Sequence, residues 1–463
     1  MANLDTLPLE LVLKIISAFD KADSSTLYAL CLTSKLLRSL CQPLLFHTFR
    51  ASDSLSALVP FAHSLALNPH LAAHVQDITL CLSRDVSRLP APKQPISVLL
   101  PAFRRAVAKV NPPDELQTQW LDKVQELHVS AFIALVLIQT PNLRRLDFTT
   151  SDLDMYDVDI WRDVGRLQLE RGTTYLSGKL KELKLEYTLD WCYPTFEDVE
   201  ELYLPFLKDV DVLHLGPLTF MDAPPIEPGS LNISDLKLQV SQPSEVTVDF
   251  IRGCKTLKRF EYQVVEDDGG YFLAGHLQRG LAPHARCLEE LTASIRLSYG
   301  SDSEAEGEAE LEDGDEDEDE RFSSFADFVS LKRLDVEGSV MKRLRRADFP
   351  PQLEVYTVRT SGYYLRCVSA LLDSSKDAAW PPLRMNVVAE VKRDSRTFKR
   401  WKTNPDRECA VLVEKLHGTR ISVMLVLIPE GSYPAPSGHV VWADADGYRR
   451  EDSVNERNLK GIL

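Results

Sequence analysis

The sequence predicts an α/β protein, with an N-terminal module of three helices followed by an irregular solenoid that has a parallel strand face. Two patterns predict this class. Apolar residues recur at helical spacing over the first fifty residues, and a short pattern with apolar first, fourth and sixth positions recurs along most of the remaining chain. The length of 463 residues exceeds what one core usually holds, which also favours several domains or a repeat array.

The first of the three predicted helices begins within the first ten residues. Pro8 fits a first helical position, where its missing N–H costs little. The helix is expected to end near Asp20. One apolar stripe follows Pro8 at the spacing i, i+3, i+4 and i+7, formed by Val12, Ile15, Ile16 and Phe19.

Two further helices are predicted before residue 50. Asp23 or Ser24 can cap the second helix, and Ser34 can cap the third, which Pro43 is expected to end. Three helices in so short a stretch cannot bury a large core of their own. A partner or the following domain is therefore expected to cover them.

Residues 1–50 resemble the F-box family. The resemblance rests on the opening Leu-Pro-x-Glu-Leu at residues 7–11, on the pair Ile15-Ile16, and on the fungal-type stretch from Leu27 to Phe49. It implies docking onto the adaptor subunit of an SCF (cullin-RING) ubiquitin ligase by apolar helix-in-groove contacts. The candidate adaptor-binding residues are Leu7, Pro8, Leu11, Ile15, Leu30 and Leu37. The alternative interpretation is a helical cap that seals the end of the solenoid.

Residues 51–382 carry the recurring pattern, which resembles the strand core L-x-x-L-x-L of leucine-rich repeats. Its last three positions alternate as in a strand with one buried face. Helix-like stretches such as Phe132 to Gln139 lie between copies and are expected to pack behind the strands. The copies begin at Val75, Val124, Leu143, Leu180, Val199, Val210, Ile233, Leu257, Leu288, Leu331 and Leu353.

The repeats are degenerate. Their spacing is uneven, with 11 residues between Val199 and Val210 but 24 between Ile233 and Leu257, and no asparagine ladder follows the strand cores. Residues 299–321 are expected to be a disordered acidic insertion, because the segment is rich in like charge and poor in apolar residues. An ordinary α/β domain with a parallel sheet is the alternative to a solenoid.

Residues 383–463 are expected to close the C-terminal end of the array as a last repeat or cap. A helix is predicted at Glu408–Leu416, and strand-like runs follow at Ile421–Ile428 and His439–Ala443. Without such a closure the last repeat would expose an apolar face and an unpaired strand edge.

Charge and apolar runs limit the partners. The formal net charge is −16, of which residues 301–320 contribute −13, so the rest of the chain carries only −3. We therefore expect no nucleic-acid partner, because phosphate binding needs a basic surface. The longest apolar runs, Phe132 to Ile138 and Val423 to Ile428, are too short to span a bilayer, and no membrane association is expected.

No motif predicts catalysis, a cofactor or a metal. The eight cysteines are scattered and include no C-x-x-C pair, which is typical of buried thiols in a reducing compartment. His70 and His74 have the spacing of a zinc-protease pair, but Leu71 stands where the general base is needed. We therefore expect a non-catalytic protein of the cytoplasm or nucleus without cofactor or metal.

These features together predict a substrate-receptor subunit of an SCF ubiquitin ligase. Its helices would join the adaptor and cullin subunits, and its repeats would bind an unknown protein substrate, with Tyr203 as one candidate anchor. The alternative is a ligase-independent leucine-rich-repeat scaffold for protein interactions with an N-terminal helical cap. A third hypothesis, an enzyme whose site forms only in three dimensions, requires a deep pocket that holds titratable groups.

Overall fold

The computed structural model has an α/β architecture that divides into two compact units. The first contains residues 1–223 and 231–233, and the second contains residues 224–230 and 234–463. The predicted α/β class with parallel strands is confirmed. The structure describes residues 7–19, 24–51, 55–82, 88–110, 112, 114–150, 179–187, 207–219, 226–242, 244–266, 274–297, 322–337, 348–361, 383–391, 421–429, 438–444 and 447–454.

The first unit opens with three short helices, as predicted: α1 (Leu9–Ser17), α2 (Ser24–Thr33) and α3 (Lys35–Leu45). Ser34 caps α3, since its Oγ accepts a hydrogen bond from the Leu37 N–H at 3.1 Å. The expectation that Pro43 ends α3 is wrong, because Pro43 lies inside the helix. In the last turn a proline removes only one hydrogen bond, and the Phe46 N–H still reaches the Gln42 carbonyl at 3.0 Å.

The strands of the first unit pair in chain order and run parallel from β1 to β5. Helix α8 is buried from Val129 to Ile138, and α4 contacts both α8 and α6. The elements after α3 are β1 (Thr48–Ala51), α4 (Leu58–Leu67), α5 (Pro69–Ala72), β2 (Asp77–Leu82), α6 (Ile96–Val110), α7 (Asp114–Gln125), α8 (Val129–Gln139), β3 (Arg145–Thr150), β4 (Glu182–Tyr187) and β5 (Val212–Thr219).

The second unit contains parallel strands from β6 to β12, and two antiparallel strands, β13 and β14, follow β12. Its elements are β6 (Asp235–Gln242), α9 (Glu245–Gly253), β7 (Arg259–Glu266), α10 (Ala274–Leu281), a short 3₁₀ helix (Ala282–His284), β8 (Glu290–Leu297), β9 (Arg333–Glu337), β10 (Val355–Ser361), β11 (Leu383–Val391), β12 (Ile421–Pro429), β13 (Gly438–Asp444) and β14 (Gly447–Val454).

Nine of the eleven predicted pattern copies lead into strands, which are β2 to β10. The copy at Val124 is wrong, because its residues form the end of α7 and the start of α8. Its apolar spacing of three also fits a helix, and Val124 continues the buried face of α7. The copy at Val199 lies outside the described residues.

One backbone arrangement recurs where the chain enters these strands. A carbonyl oxygen accepts hydrogen bonds from two successive N–H groups of the next strand along the sheet. The Lys258 carbonyl, for example, accepts from Glu289 and Glu290 at 2.7 and 3.1 Å. The same turn at the strand entry is therefore repeated from strand to strand within each unit. The other carbonyls that accept two such bonds belong to His47, Gln76, Arg144, Lys181, Ser234, Glu289 and Lys332.

The predicted domain ranges 1–50, 51–382 and 383–463 stay predictions. The first range ends inside β1, which pairs with β2, and the third begins at β11, which continues the parallel pairing of β10. The runs at 421–428 and 439–443 form β12 and β13, as expected. The acidic insertion 299–321, the helix predicted at 408–416 and Tyr203 lie outside the described residues.

Candidate docking surface of the N-terminal helices

Helices α1, α2 and α3 share a small core. Each helix contributes two buried residues at the spacing i and i+4, which places them one above the other on a single stripe. Four leucines at the margin, Leu7, Leu30, Leu40 and Leu45, are partly buried against this core. The core itself consists of Val12, Ile16, Leu27, Cys31, Leu37 and Cys41.

More large apolar side chains of these helices are exposed than buried. Residues 9–44 hold eight of the eleven exposed large hydrophobic side chains in the described part of the chain. Single exposed apolar residues are common on proteins, but a concentration of this kind marks an interaction surface. The eight residues are Leu9, Leu11, Leu13, Ile15, Tyr28, Leu32, Leu36 and Leu44.

One exposed stripe runs along α1. Pro8, Leu11 and Ile15 follow the spacing i, i+3 and i+7, so they share a face that differs from the face of the buried Val12 and Ile16. Leu11 is 48% exposed and Ile15 is 39% exposed. Pro8 fixes the start of this face, because its carbonyl accepts hydrogen bonds from the N–H groups of Leu11 and Val12. The stripe is therefore a short apolar ridge on the exposed face of α1.

The other two helices carry exposed stripes that the sequence analysis did not single out. On α2, Tyr28 and Leu32 are four residues apart and are 57% and 62% exposed. On α3, Leu36 and Leu44 flank the partly buried Leu40 at intervals of four residues. Each stripe lies beside a buried apolar pair on the same helix. Helical periodicity could identify both stripes in the sequence, but it could not tell which stripe the core covers.

The six candidate adaptor-binding residues fall into three classes of exposure. Three of them form the exposed stripe of α1. Leu7 and Leu30 are partly buried at the margin of the core, and Leu37 is only 4% exposed within it. The structure therefore brings half of the predicted set to the surface on one helix face, while Leu37 supports that face through the core.

The thiols of the core are inert. Burial raises the pKa of Cys31, although the nearby Arg38 opposes the shift, and burial also raises the pKa of Cys41. Both side chains therefore stay protonated at neutral pH. Neither supplies the thiolate that nucleophilic or metal-binding chemistry requires. They act as small apolar residues of the core.

Helix α3 leads directly into the first strand of the first unit. The His47 N–H donates to the Leu44 carbonyl at 3.1 Å, and the His47 carbonyl accepts from Gln76 and Asp77 of the next strand entry. Phe49 of β1 stacks on Phe61 of α4, with ring centroids 3.9 Å apart. The end of α3 thus satisfies a backbone donor at the start of the strand array.

The chain matches no known family model. No curated protein is detectably similar to it either. In the described ranges no group of three or more His, Cys, Asp or Glu side chains could hold a metal ion. Among the helices that the structure describes, none is long and apolar enough to cross a membrane.

Proposed function

We propose that this chain is a non-catalytic substrate-receptor subunit of an SCF (cullin-RING) ubiquitin ligase in the cytoplasm or nucleus. Helices α1 to α3 bind the adaptor subunit, the adaptor connects them to the cullin, and the strand array binds a protein substrate. The observation that carries this proposal is the concentration of exposed apolar side chains on three helices whose sequence resembles the F-box. Ubiquitin transfer is then the task of the other subunits.

The stripe of α1 is suited to helix-in-groove binding. A partner groove that covers the exposed parts of Pro8, Leu11 and Ile15 removes apolar area from water, which contributes about 1 kcal/mol for each half-exposed side chain. The stripes of α2 and α3 enlarge the apolar area that a partner can cover.

The substrate surface is the strand face opposite the core. In the second unit its side chains form ion pairs between neighbouring strands, such as Lys237 with Glu261 at 2.7 Å and Arg259 with Asp235 at 2.6 Å. Charged groups on such a face contribute to specificity and association rate more than to affinity. A substrate is therefore selected by its charge pattern.

Co-purification with the adaptor and cullin tests the proposal. We expect the full chain to capture both subunits and a Leu11→Ser, Ile15→Ser variant to lose them. The matched control is a Leu67→Ser, Val98→Ser variant, which replaces two apolar residues that are 49% and 63% exposed outside α1 to α3. Capture by the α1 variant at the wild-type level would contradict the proposal, and loss in the control would show a general effect of removing surface apolar residues.

A ligase-independent interaction scaffold is the second candidate function. The bond from His47 to Leu44 and the stacking of Phe49 on Phe61 favour it, because they make the end of α3 a cap for the first strand. If the wild-type chain folds but captures neither adaptor nor cullin, this function replaces the first. Removal of α1 to α3 should then expose the first strand and cause aggregation.

A further inference from the structure

Helix α6 of the first unit has a basic outer face. It carries Arg104, Arg105 and Lys109, which are all exposed, and it contains no acidic residue. Its other face is buried, with Phe103 and Val107 among the buried residues. The three cations therefore share the solvent side of one helix, within about 8 Å along its axis.

The cations of this face have no counter-charge in the part of the chain that the structure describes. None of the three forms an ion pair or a hydrogen bond there. Helices α4 and α8, which both contact α6, contain no acidic residue. The strand face differs, because its cations Lys237 and Arg259 are each paired with a carboxylate. The basic face of α6 thus has charge to offer to a partner.

The arrangement is unfavourable for the free helix. Arg105 and Lys109 are four residues apart, and like charges at this spacing repel each other. The carboxyl end of the helix dipole compensates for Lys109 in the last turn, but Arg105 lies further inside the helix. An acidic residue at position 105 would stabilise the helix instead. This local cost favours a binding role for the face over a purely structural one.

We propose that the basic face of α6 binds a short acidic segment of a partner protein. Carboxylates of that segment form ion pairs with Arg104, Arg105 and Lys109, and the arginines can each accept a carboxylate in the two-pronged geometry. An extended segment needs only about three residues to follow the three cations along the helix. Such exposed charges act mainly on association rate and specificity.

Helix α7 limits the partner to a narrow segment. It packs beside α6 and carries the exposed carboxylates of Asp114, Glu115 and Asp122. Asp114 follows Val110, the last residue of α6, by only four positions. A membrane surface or a nucleic-acid duplex is broad enough to meet these carboxylates as well, and they would repel it. A short acidic protein segment can stay on the α6 face.

Binding of a fluorescent octaglutamate peptide to the full chain at low ionic strength tests the proposal. Fluorescence anisotropy should show saturable binding to the wild type. Arg104→Glu, Arg105→Glu should weaken it at least about tenfold, because two attractive contacts become repulsive. The matched control is Lys255→Glu, Lys258→Glu, which changes the net charge equally at two exposed lysines outside α6 and should bind like the wild type.

Misfolding cannot explain the expected loss. Arg105→Glu places a glutamate four residues before Lys109, which is an attractive spacing, so the midpoint of thermal unfolding should not fall. Absence of peptide binding by the wild type overturns the proposal, and so does an equal loss in the control. Tighter binding of phosphatidylserine vesicles or of a DNA duplex than of the peptide also overturns it. The face lies outside α1 to α3, and its binding does not depend on the proposed ligase role.

Discussion

The side-chain amide of Asn142 donates a hydrogen bond to the carbonyl oxygen of Ala73 at 2.6 Å, across 69 residues of the chain. Asn142 stands immediately before the first apolar residue of its strand pattern. A polar side chain just before the strand pattern thus donates to the turn that precedes an earlier copy of the pattern. The same bond recurs from Asn232 to the Lys208 carbonyl and from Ser330 to the Arg286 carbonyl, both at 2.7 Å.

Asn142→Ala should lower the free energy of unfolding by about 1–2 kcal/mol, because the Ala73 carbonyl loses its side-chain donor in a partly buried turn. Urea unfolding measures the change. The informative control is Asn142→Asp, which removes the donor but keeps the oxygen that accepts a hydrogen bond from Lys179. Wild-type stability in the Asp variant would show that the bond to Ala73 contributes nothing.

The sequence has no asparagine ladder after the strand cores, whereas the structure has a ladder of polar side chains before them. The ladder was missed because its members differ in type, with Asn142 and Asn232 but Ser330 in the same role. What these side chains share is a donor group and a position one residue before the strand pattern. A search for one residue type cannot detect that shared property.

The strand pattern predicted nine strands because its alternation follows the pleat of a half-buried strand. It missed β11, where Met385 takes a buried position that most of the other copies give to leucine. It missed β14 because a run of four charged residues has no alternation of apolar and polar positions. Both β11 and β14 are recognised as strands only by their backbone pairing with a neighbouring strand, which the sequence does not show.

The candidate site was predictable only in part. The F-box resemblance pointed to Pro8, Leu11 and Ile15. Helical spacing, in contrast, grouped the exposed Ile15 in one stripe with Val12 and Ile16, which are buried. It could not separate surface from core within three helices that are apolar on several faces, so Leu37 was grouped with surface residues and Tyr28 and Leu32 were left out. Exposure on such helices depends on how they pack together, which single-helix periodicity does not specify.

His284 should make the folded state less stable at mildly acidic pH. Its side chain is 2% exposed, and Nε2 lies 2.9 Å from the Ile251 carbonyl. Burial lowers the pKa of His284 below 6.5, although the bond to Ile251 opposes the shift. The unfolded chain therefore binds the proton first as the pH falls, and the free energy of unfolding decreases below about pH 6.5, down to the folded-state pKa.

His284→Gln keeps a side-chain donor for the Ile251 carbonyl but cannot titrate. Its free energy of unfolding, followed by urea between neutral and mildly acidic pH, should fall less than that of the wild type, by about 1 kcal/mol over one pH unit. Glutamine can alter the absolute stability, so the slope with pH is the readout. Equal slopes for the two proteins would rule out this role of His284.

Leu127 has a backbone conformation that leucine rarely adopts, with φ of 62° in the turn between α7 and α8. Its carbonyl accepts a hydrogen bond from the Leu89 N–H at 2.7 Å, which holds the turn in place. Leu127→Gly should be more stable than Leu127→Ala by about 1 kcal/mol, because both remove the side chain and only glycine relieves the strain. Thermal or urea unfolding of the two variants makes the comparison, and an advantage of alanine would argue against strain.

Alkylation should separate the exposed Cys81 from the buried Cys254. Burial raises the pKa of Cys254 to about 12, so only about one thiol in ten thousand is ionised at pH 8. Native chain treated with iodoacetamide and mapped by peptide mass should be modified rapidly at Cys81, while Cys254 should react only as the chain opens. In concentrated urea both should react at similar rates, which serves as the control for intrinsic reactivity. Because iodoacetamide needs the thiolate and access to it, equal rates in the native chain would mean that the Cys254 thiol is accessible in the folded state.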